Sequence, residues 1–185
     1  MNETIRNQFP ALSRIHNKKP FIFLDGPAGT QVPNRTINAI SNYYQKSNAN
    51  THGTFTTTQE TDEILENTRA LVRYLATFSG AEGGHTISFG HNMTTLNFSL
   101  SRAIGRFLQP NDEVLITQLD HEANRGPRLS LRAQGIIVRE VRLQTDGTLY
   151  YDDFAAKINE RTRLVAMGWA SNILVLSMKS QKYGH

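Results

Sequence analysis

Three stretches of this 185-residue sequence carry polar side chains directly after short apolar runs: GHNMTT at residues 90–95, QLDHEAN at residues 118–124 and ASN at residues 170–172. Each apolar run predicts a β-strand, and each polar stretch then follows the carboxyl end of that strand. In an open α/β sheet, ligands bind just outside the carboxyl ends of the strands. The order of the three stretches therefore predicts one side of a binding pocket.

The first stretch leads into a predicted helix. The free N–H groups and the dipole at a helix start attract an anion, and the hydroxyls of Thr94 and Thr95 add donors. The alternative is that Asn92 and the threonines only cap the helix. In the second stretch, His121 is able to stack on an aromatic cofactor or relay a proton, or it is an ordinary hydrogen-bonded histidine. Asp120, His121 and Glu122 do not converge easily on one metal ion, so no metal site is expected.

The amide of Asn172 in the third stretch is able to donate to a ligand oxygen, or it satisfies its own backbone in a turn. Two further loops, at residues 24–30 and 48–53, contain glycines and are candidates to close over a site. Their glycines do not match the GxxxxGK pattern of a phosphate-binding loop, and plain turns are the alternative.

The elements that must position these residues alternate between strand and helix after Gly80. This alternation predicts an α/β fold with a mostly parallel sheet flanked by helices. Asn34 is predicted to cap a helix through about Lys46, and the sequence TTQE at residues 57–60 reads as a capping box opening a second, long helix. The predicted strands cover residues 21–24, 85–89, 113–117, 136–141 and 163–168. The remaining predicted helices cover residues 93–108, 126–133 and 152–158.

The composition narrows the class of protein. The chain has twenty Lys and Arg against sixteen Asp and Glu, but the basic residues are scattered, which argues against a nucleic-acid-binding surface. A basic nucleic-acid-binding domain is therefore a less favoured hypothesis than the two given at the end of this section. There is no cysteine, no apolar run long enough to span a membrane and no apolar signal segment, so a cytoplasmic protein is expected.

Six spaced motifs resemble the class V aminotransferase group of pyridoxal-phosphate enzymes, and within it the cysteine desulfurase-like proteins. They are FLDGPAGTQVP (23–33), NANTHGTF (48–55), GHNMTTL (90–96), QLDHEAN (118–124), TDGTL (145–149) and TRLVAMGWASN (162–172). The resemblance implies a fold-type-I large domain, a pyridoxal 5'-phosphate cofactor, an amino-acid substrate and a homodimer. It places the cofactor phosphate at Met93 and Thr94, the ring-stacking histidine at His121, and the contact to the phenolic oxygen at Asn172. Asn92 departs from the family, which commonly has glycine there.

The same resemblance implies that the large domain is incomplete. In the family, the Schiff-base lysine, the aspartate that pairs with the pyridine nitrogen and the substrate-binding arginine all follow the segment that ends at Asn172. Lys179 and Lys182 do not lie in the family's setting for that lysine, so no catalytic residue is assigned. The expected division is an N-terminal segment (1–33), a partial cofactor-binding domain (34–174) and a divergent tail (175–185) of foreign sequence.

Two hypotheses follow for function. The first is that the chain is an N-terminal fragment of a pyridoxal-phosphate enzyme of the cysteine desulfurase-like type, with little or no activity alone. The second is that the chain is a non-catalytic remnant or a subunit-interaction module.

Overall fold

The computed structural model describes residues 3–75, 86–171 and 174. The chain divides into two compact units, Met1–Phe89 and Gly90–His185. The division into segments at residues 33 and 174 stays a prediction.

The described residues of the first unit contain a small hairpin, three α-helices and two 3₁₀ helices, at Pro10–Ser13 and Gly26–Ala28. The hairpin pairs β1 (Ile15–His16) with β2 (Lys19–Pro20) in antiparallel register. Its two turn residues, Asn17 and Lys18, both have positive φ angles of 50° and 61°, as a two-residue turn between twisted strands requires. The α-helices are α1 (Glu3–Arg6), α2 (Asn34–Lys46) and α3 (Thr56–Leu75).

Helices α2 and α3 are joined by hydroxyl groups. Thr61 is buried in α3, and its Oγ1 donates to the carbonyl of Ser47, just past the end of α2, at 3.1 Å. The Ser47 hydroxyl bonds the Glu60 carboxylate at 2.5 Å. The predicted capping box is therefore wrong: α3 begins at Thr56, before Thr57, and Glu60 bonds to a neighbouring loop.

Two predicted strands are not formed as expected. Residues 21–24 are outside any strand, and Ile22 and Leu24 are 75% and 89% exposed. The strand predicted at residues 85–89 is likewise not seen over the part of it that is described, residues 86–89. An apolar run pairs as a strand only where a neighbouring strand offers it a ladder of hydrogen bonds, and the run itself does not specify that neighbour.

The second unit is a parallel α/β sheet, as predicted. Its strands are β3 (Glu113–Thr117), β4 (Ile137–Val141) and β5 (Thr162–Val165), in the order β4-β3-β5, and both pairings are parallel. The helices are α4 (Met93–Gly105), α5 (Glu122–Leu129) and α6 (Tyr151–Lys157), with a 3₁₀ helix at Ser130–Gln134. The register of β3 and β4 runs from Glu113 opposite Ile137 to Thr117 opposite Val141.

The central strand β3 forms the core of this unit, because all five of its residues are buried. Alternate residues of a strand point to opposite faces, so Val114 and Ile116 pack with Leu131 on one face, while Leu115 packs with Phe154 on the other. Helical segments therefore cover both faces of the sheet, which is why the sequence of β3 is apolar at consecutive positions.

Several element boundaries in the second unit differ from the predicted ones. Helix α4 ends at Gly105, short of the predicted residue 108, and β5 ends at Val165 instead of 168. Helix α5 begins at Glu122, four positions before the predicted start, and contains Pro127. The early start of α5 matters for the site, because it makes His121 the residue that caps the helix.

Candidate cofactor-binding site

A cavity of about 550 Å³ opens at the carboxyl end of β3 in the second unit. Three segments line it: the start of α4 (residues 92–94 and 97), the turn into α5 (residues 120–124) and the loop after β5 (residues 167, 168 and 170). The three stretches that the sequence singled out supply most of this lining, and Asn97, Met167 and Gly168 lie outside them. Met93, Thr94 and His121 therefore lie around the same cavity, as predicted for one side of a pocket.

The start of α4 offers unpaired donors to this cavity. The side chain of Asn92 caps the helix by accepting from the Thr95 N–H at 2.9 Å, so the capping alternative is correct for Asn92. Within the described part of the chain, the N–H groups of Met93 and Thr94 have no acceptor, as is usual in a first helical turn. These N–H groups and the positive end of the helix dipole form an arrangement that binds anions.

His121 is held by the backbone of the helix that it caps. Its Nδ1 accepts a hydrogen bond from the Ala123 N–H at 3.0 Å, so the neutral ring carries its proton on Nε2. The ring is exposed and lines the cavity. It is therefore presented in a fixed orientation, as stacking on a flat ligand requires.

Asp120 joins the ends of two strands beneath the cavity. Its Oδ2 accepts from the N–H and the hydroxyl of Thr117 at 3.0 and 2.8 Å, and its Oδ1 accepts from the Gly168 N–H. A Cβ added at Gly168 would lie 3.0 Å from Asp120 Oδ1, so the close approach favours glycine. Both oxygens of the Asp120 carboxylate therefore accept hydrogen bonds from the protein itself. These bonds position the loop after β5 against the turn before α5.

Asn124 makes a second connection between α5 and β5. It is 8% exposed, and its Nδ2 donates to the Ala166 carbonyl at 3.1 Å. The predicted site residue Asn172 lies outside the described residues, so its contact with a ligand stays a prediction. The structure describes Ala170 as part of the cavity wall and Ser171 as buried.

Sequence reasoning missed a group that ties α4 to α5. Asn97 lines the cavity and donates from Nδ2 to the Ala123 carbonyl at 3.1 Å. Arg128 is 4% exposed and donates to both the main-chain and side-chain oxygens of Asn97. The signal in the sequence was Pro127, since a proline within a helix leaves a carbonyl without its usual donor.

Comparison with known proteins identifies the family. The aminotransferase class-V family model matches residues 22–179 of this chain. The chain belongs to the aminotransferase class-V family. The matched region includes residues 175–179, so it extends into the segment that was expected to be foreign; the origin of that segment stays a prediction.

Similar proteins place the chain near one branch of the class-V family. A probable cysteine desulfurase of Vibrio cholerae is 33% identical over 174 residues, which cover 92% of this chain and 42% of that protein. Two solved cysteine desulfurases, each 25% identical, share the fold. The one from Escherichia coli has a TM-score of 0.76 and covers 96% of this chain and 43% of its own. The one from Thermococcus onnurineus has a TM-score of 0.79, and the match covers 93% of this chain and 41% of that protein.

These comparisons confirm the predicted family and the predicted fold, an incomplete α/β fold of type I. The chain spans about two fifths of the length of the Vibrio cholerae relative and of both solved structures. In the parts of the chain that the structure describes, none of the helices is both long and apolar enough to cross a membrane.

Proposed function

We propose that this chain forms the phosphate- and ring-binding part of a pyridoxal-phosphate site in a cysteine desulfurase-like enzyme that acts on an amino acid. The observation that carries the proposal is the cavity itself. It brings the anion-attracting start of α4 together with the fixed ring of His121, two features that a ligand with a phosphate and a flat ring needs at once.

The residues present fit such a ligand. The N–H groups of Met93 and Thr94 and the Thr94 hydroxyl are suited to the phosphate, and the His121 imidazole is suited to stacking on the ring. Asn172 is proposed to donate to the phenolic oxygen. When bound, the cofactor supplies an electron sink for carbanion chemistry, and the protein orients it. The cavity volume is in the range of ordinary small-molecule sites.

The described residues do not supply the remaining catalytic groups at this cavity. Among the described residues of the second unit, no lysine or arginine lines it, and the one carboxylate in its lining, that of Asp120, is bonded to Thr117 and Gly168. We therefore propose that the chain alone has little or no activity on cysteine or another amino acid. The amino-acid substrate, the homodimer and the cytoplasmic location expected from the family belong to the same proposal.

A binding measurement tests the cofactor assignment. The probe is deoxypyridoxine phosphate, which has the phosphate and ring of the cofactor but no aldehyde, and so does not modify surface lysines. The full chain is titrated, and the amide signals of Met93 and Thr94 are followed by NMR. We expect Thr94→Ala to weaken binding about threefold to tenfold, as the loss of one hydrogen bond does.

Thr95→Ala is the matched control, because Thr95 lies in the same helical turn but does not line the cavity. It should bind the probe like the unmodified chain. Failure of the chain to bind the probe, or equal losses in the two variants, would contradict the cofactor assignment. Sulfide release from cysteine that follows the purified chain and is abolished by carbonyl reagents would contradict the proposed lack of activity.

A further inference from the structure

The proline in α5 creates a need for a hydrogen-bond donor close to His121. Pro127 has no N–H, so it cannot donate to the carbonyl of Ala123 four residues earlier. Asn97 of α4 supplies the missing bond from its Nδ2 at 3.1 Å. The N–H of the same Ala123 holds the ring of His121 through Nδ1. One side chain of α4 therefore contacts the residue that fixes the histidine.

Asn97 is also well placed relative to the anion-binding end of α4. It follows Thr94 by three residues, so the two side chains lie on the same face of the helix. Both line the cavity. Any shift of Asn97 relative to Ala123 therefore changes the spacing between the first turn of α4 and the ring of His121.

Arg128 holds Asn97 in this position. Its Nη1 donates to the Asn97 main-chain oxygen at 3.0 Å, and its Nη2 donates to Asn97 Oδ1 at 3.2 Å. Nη1 also bonds the hydroxyl of Ser101, which is fully buried. The planar guanidinium reaches both oxygens of Asn97 at once, and a lysine has no such geometry.

Arg128 lacks the direct ion pairs that its neighbour has, and only the more distant charge of Asp120 opposes the effect of burial, which lowers the pKa of Arg128. Arg125 forms ion pairs with two glutamates, whereas Arg128 forms none with any carboxylate in the described ranges. Nε is buried without a hydrogen-bond partner in both arginines. Burying a cation against neutral groups costs free energy, so a residue that served only to fill the helix interface would be better replaced by an apolar one.

We propose that Arg128 is a positioning residue for the candidate site, fixing Asn97 and thereby setting the spacing between the first turn of α4 and the His121 ring. The inference rests on the proposed function, because the spacing matters only if one ligand contacts both elements. It has a specific consequence. A ligand that spans phosphate and ring positions depends on Arg128 more than a ligand that contacts α4 alone.

Two probes separate these cases in the full chain. Inorganic phosphate contacts only the start of α4, whereas deoxypyridoxine phosphate spans α4 and His121. Both are titrated against the unmodified chain and Arg128→Met, with the Thr94 amide signal as the readout. We expect Arg128→Met to weaken the binding of deoxypyridoxine phosphate about tenfold, because the altered spacing costs this probe about as much as one lost hydrogen bond, and the binding of inorganic phosphate by less than about threefold.

Two further variants refine the test. Ser101→Ala removes one acceptor of Arg128 but leaves both contacts to Asn97. The ratio of its affinities for deoxypyridoxine phosphate and inorganic phosphate should therefore equal that of the unmodified chain. Arg128→Lys keeps the charge but loses the paired geometry, so it should show a smaller change in the same direction. If urea unfolding shows that Arg128→Met is not folded, Arg128→Lys is used instead. The test then compares its affinity loss for deoxypyridoxine phosphate with its affinity loss for inorganic phosphate.

The outcomes distinguish the two proposals. If the unmodified chain binds neither probe at Thr94, the proposed function fails and the inference fails with it. If the unmodified chain binds both and the Arg128 variants lose affinity for both by the same factor, or lose none, the proposed function stands and Arg128 is only a structural residue. A selective loss for the ring-containing probe supports the positioning role.

Discussion

The buried carboxylate of Asp153 provides a sharp test of the energetics of the second unit. Asp153 lies in the first turn of α6 and is 8% exposed. Its Oδ2 accepts from the Arg142 N–H at 2.9 Å and from Lys157 Nζ at 2.6 Å, and its Oδ1 accepts from Arg142 Nε at 3.1 Å. These bonds tie α6 to the end of β4. We predict that Asp153→Asn destabilises the chain in a pH-dependent way.

The magnitude follows from the pKa of Asp153. Burial opposes ionisation, but the hydrogen bonds from Lys157 and Arg142 outweigh it and lower the pKa from 3.8 to about 2. Because one pKa unit corresponds to about 1.4 kcal/mol, the ionised group contributes about 2 kcal/mol of stability near neutral pH. The folded pKa lies below the unfolded one. The contribution is therefore complete above about pH 4 and is lost as the pH falls towards 2.

Urea unfolding of Asp153→Asn and Asp152→Asn measures this contribution. Asp152 lies in the same helical turn but is exposed, so its variant removes the same charge from the helix start without the buried bonds. Near pH 7, Asp153→Asn should be less stable than the control by about 2 kcal/mol. Near pH 2 the difference should largely vanish. Equal stabilities near pH 7, or a difference that persists unchanged in acid, would refute the reasoning.

Two other substitutions test how the site is held. Asp120→Asn should lower the free energy of unfolding by roughly 2–3 kcal/mol, because the amide offers one acceptor oxygen where the carboxylate uses two for Thr117 and Gly168; an unchanged urea midpoint would contradict this. Asn92→Ala should cost about 1 kcal/mol and speed hydrogen exchange at the Thr95 N–H, while Asn92→Asp, which keeps a capping oxygen, should stay close to the unmodified chain. Similar exchange rates in the two Asn92 variants would argue against the cap.

Local patterns predicted those elements whose signals lie within the element. Strand β3 has the predicted bounds because its apolar residues form one run between polar turns, and burial on both faces needs no alternation. Helix α2 ends at the predicted Lys46, but the predicted cap is wrong: Asn34 is the first helical residue, and Pro33, which has no side-chain hydrogen bond to offer, occupies the N-cap position. In both cases the residues that determine the structure are next to each other in the sequence.

Helix α5 shows why other elements could not be predicted. A histidine is not among the usual N-cap residues, yet the side chain of His121 caps this helix. Pro127 indicates a break, yet the helix continues through it because Asn97, 26 residues before Ala123, bonds the carbonyl that the proline leaves free. A pattern read along a short window does not contain a partner at that distance.

The same limit applies to the candidate site. Met93, Thr94 and His121 were singled out because each follows a predicted strand, and they line one cavity although residues 86–89 before Met93 are not in a strand. Their contacts with a cofactor stay a prediction. The positioning groups Asp120 and Arg128 were not found, because their roles depend on partners elsewhere in the chain. Residue types alone made Asp120 resemble a possible metal ligand, whereas its hydrogen bonds show that it joins two strand ends.

The strand order β4-β3-β5 has a consequence for how this unit folds during synthesis. The central strand is the first of the three to leave the ribosome, and each neighbour arrives later. The N–H of Glu113 must wait for the carbonyl of Arg161, 48 residues on, before the pairing with β5 begins to close the second side. Until then β3 presents an unpaired edge bearing some of the most apolar residues of the chain. The nascent polypeptide is therefore most prone to aggregate in the interval before β5 is made.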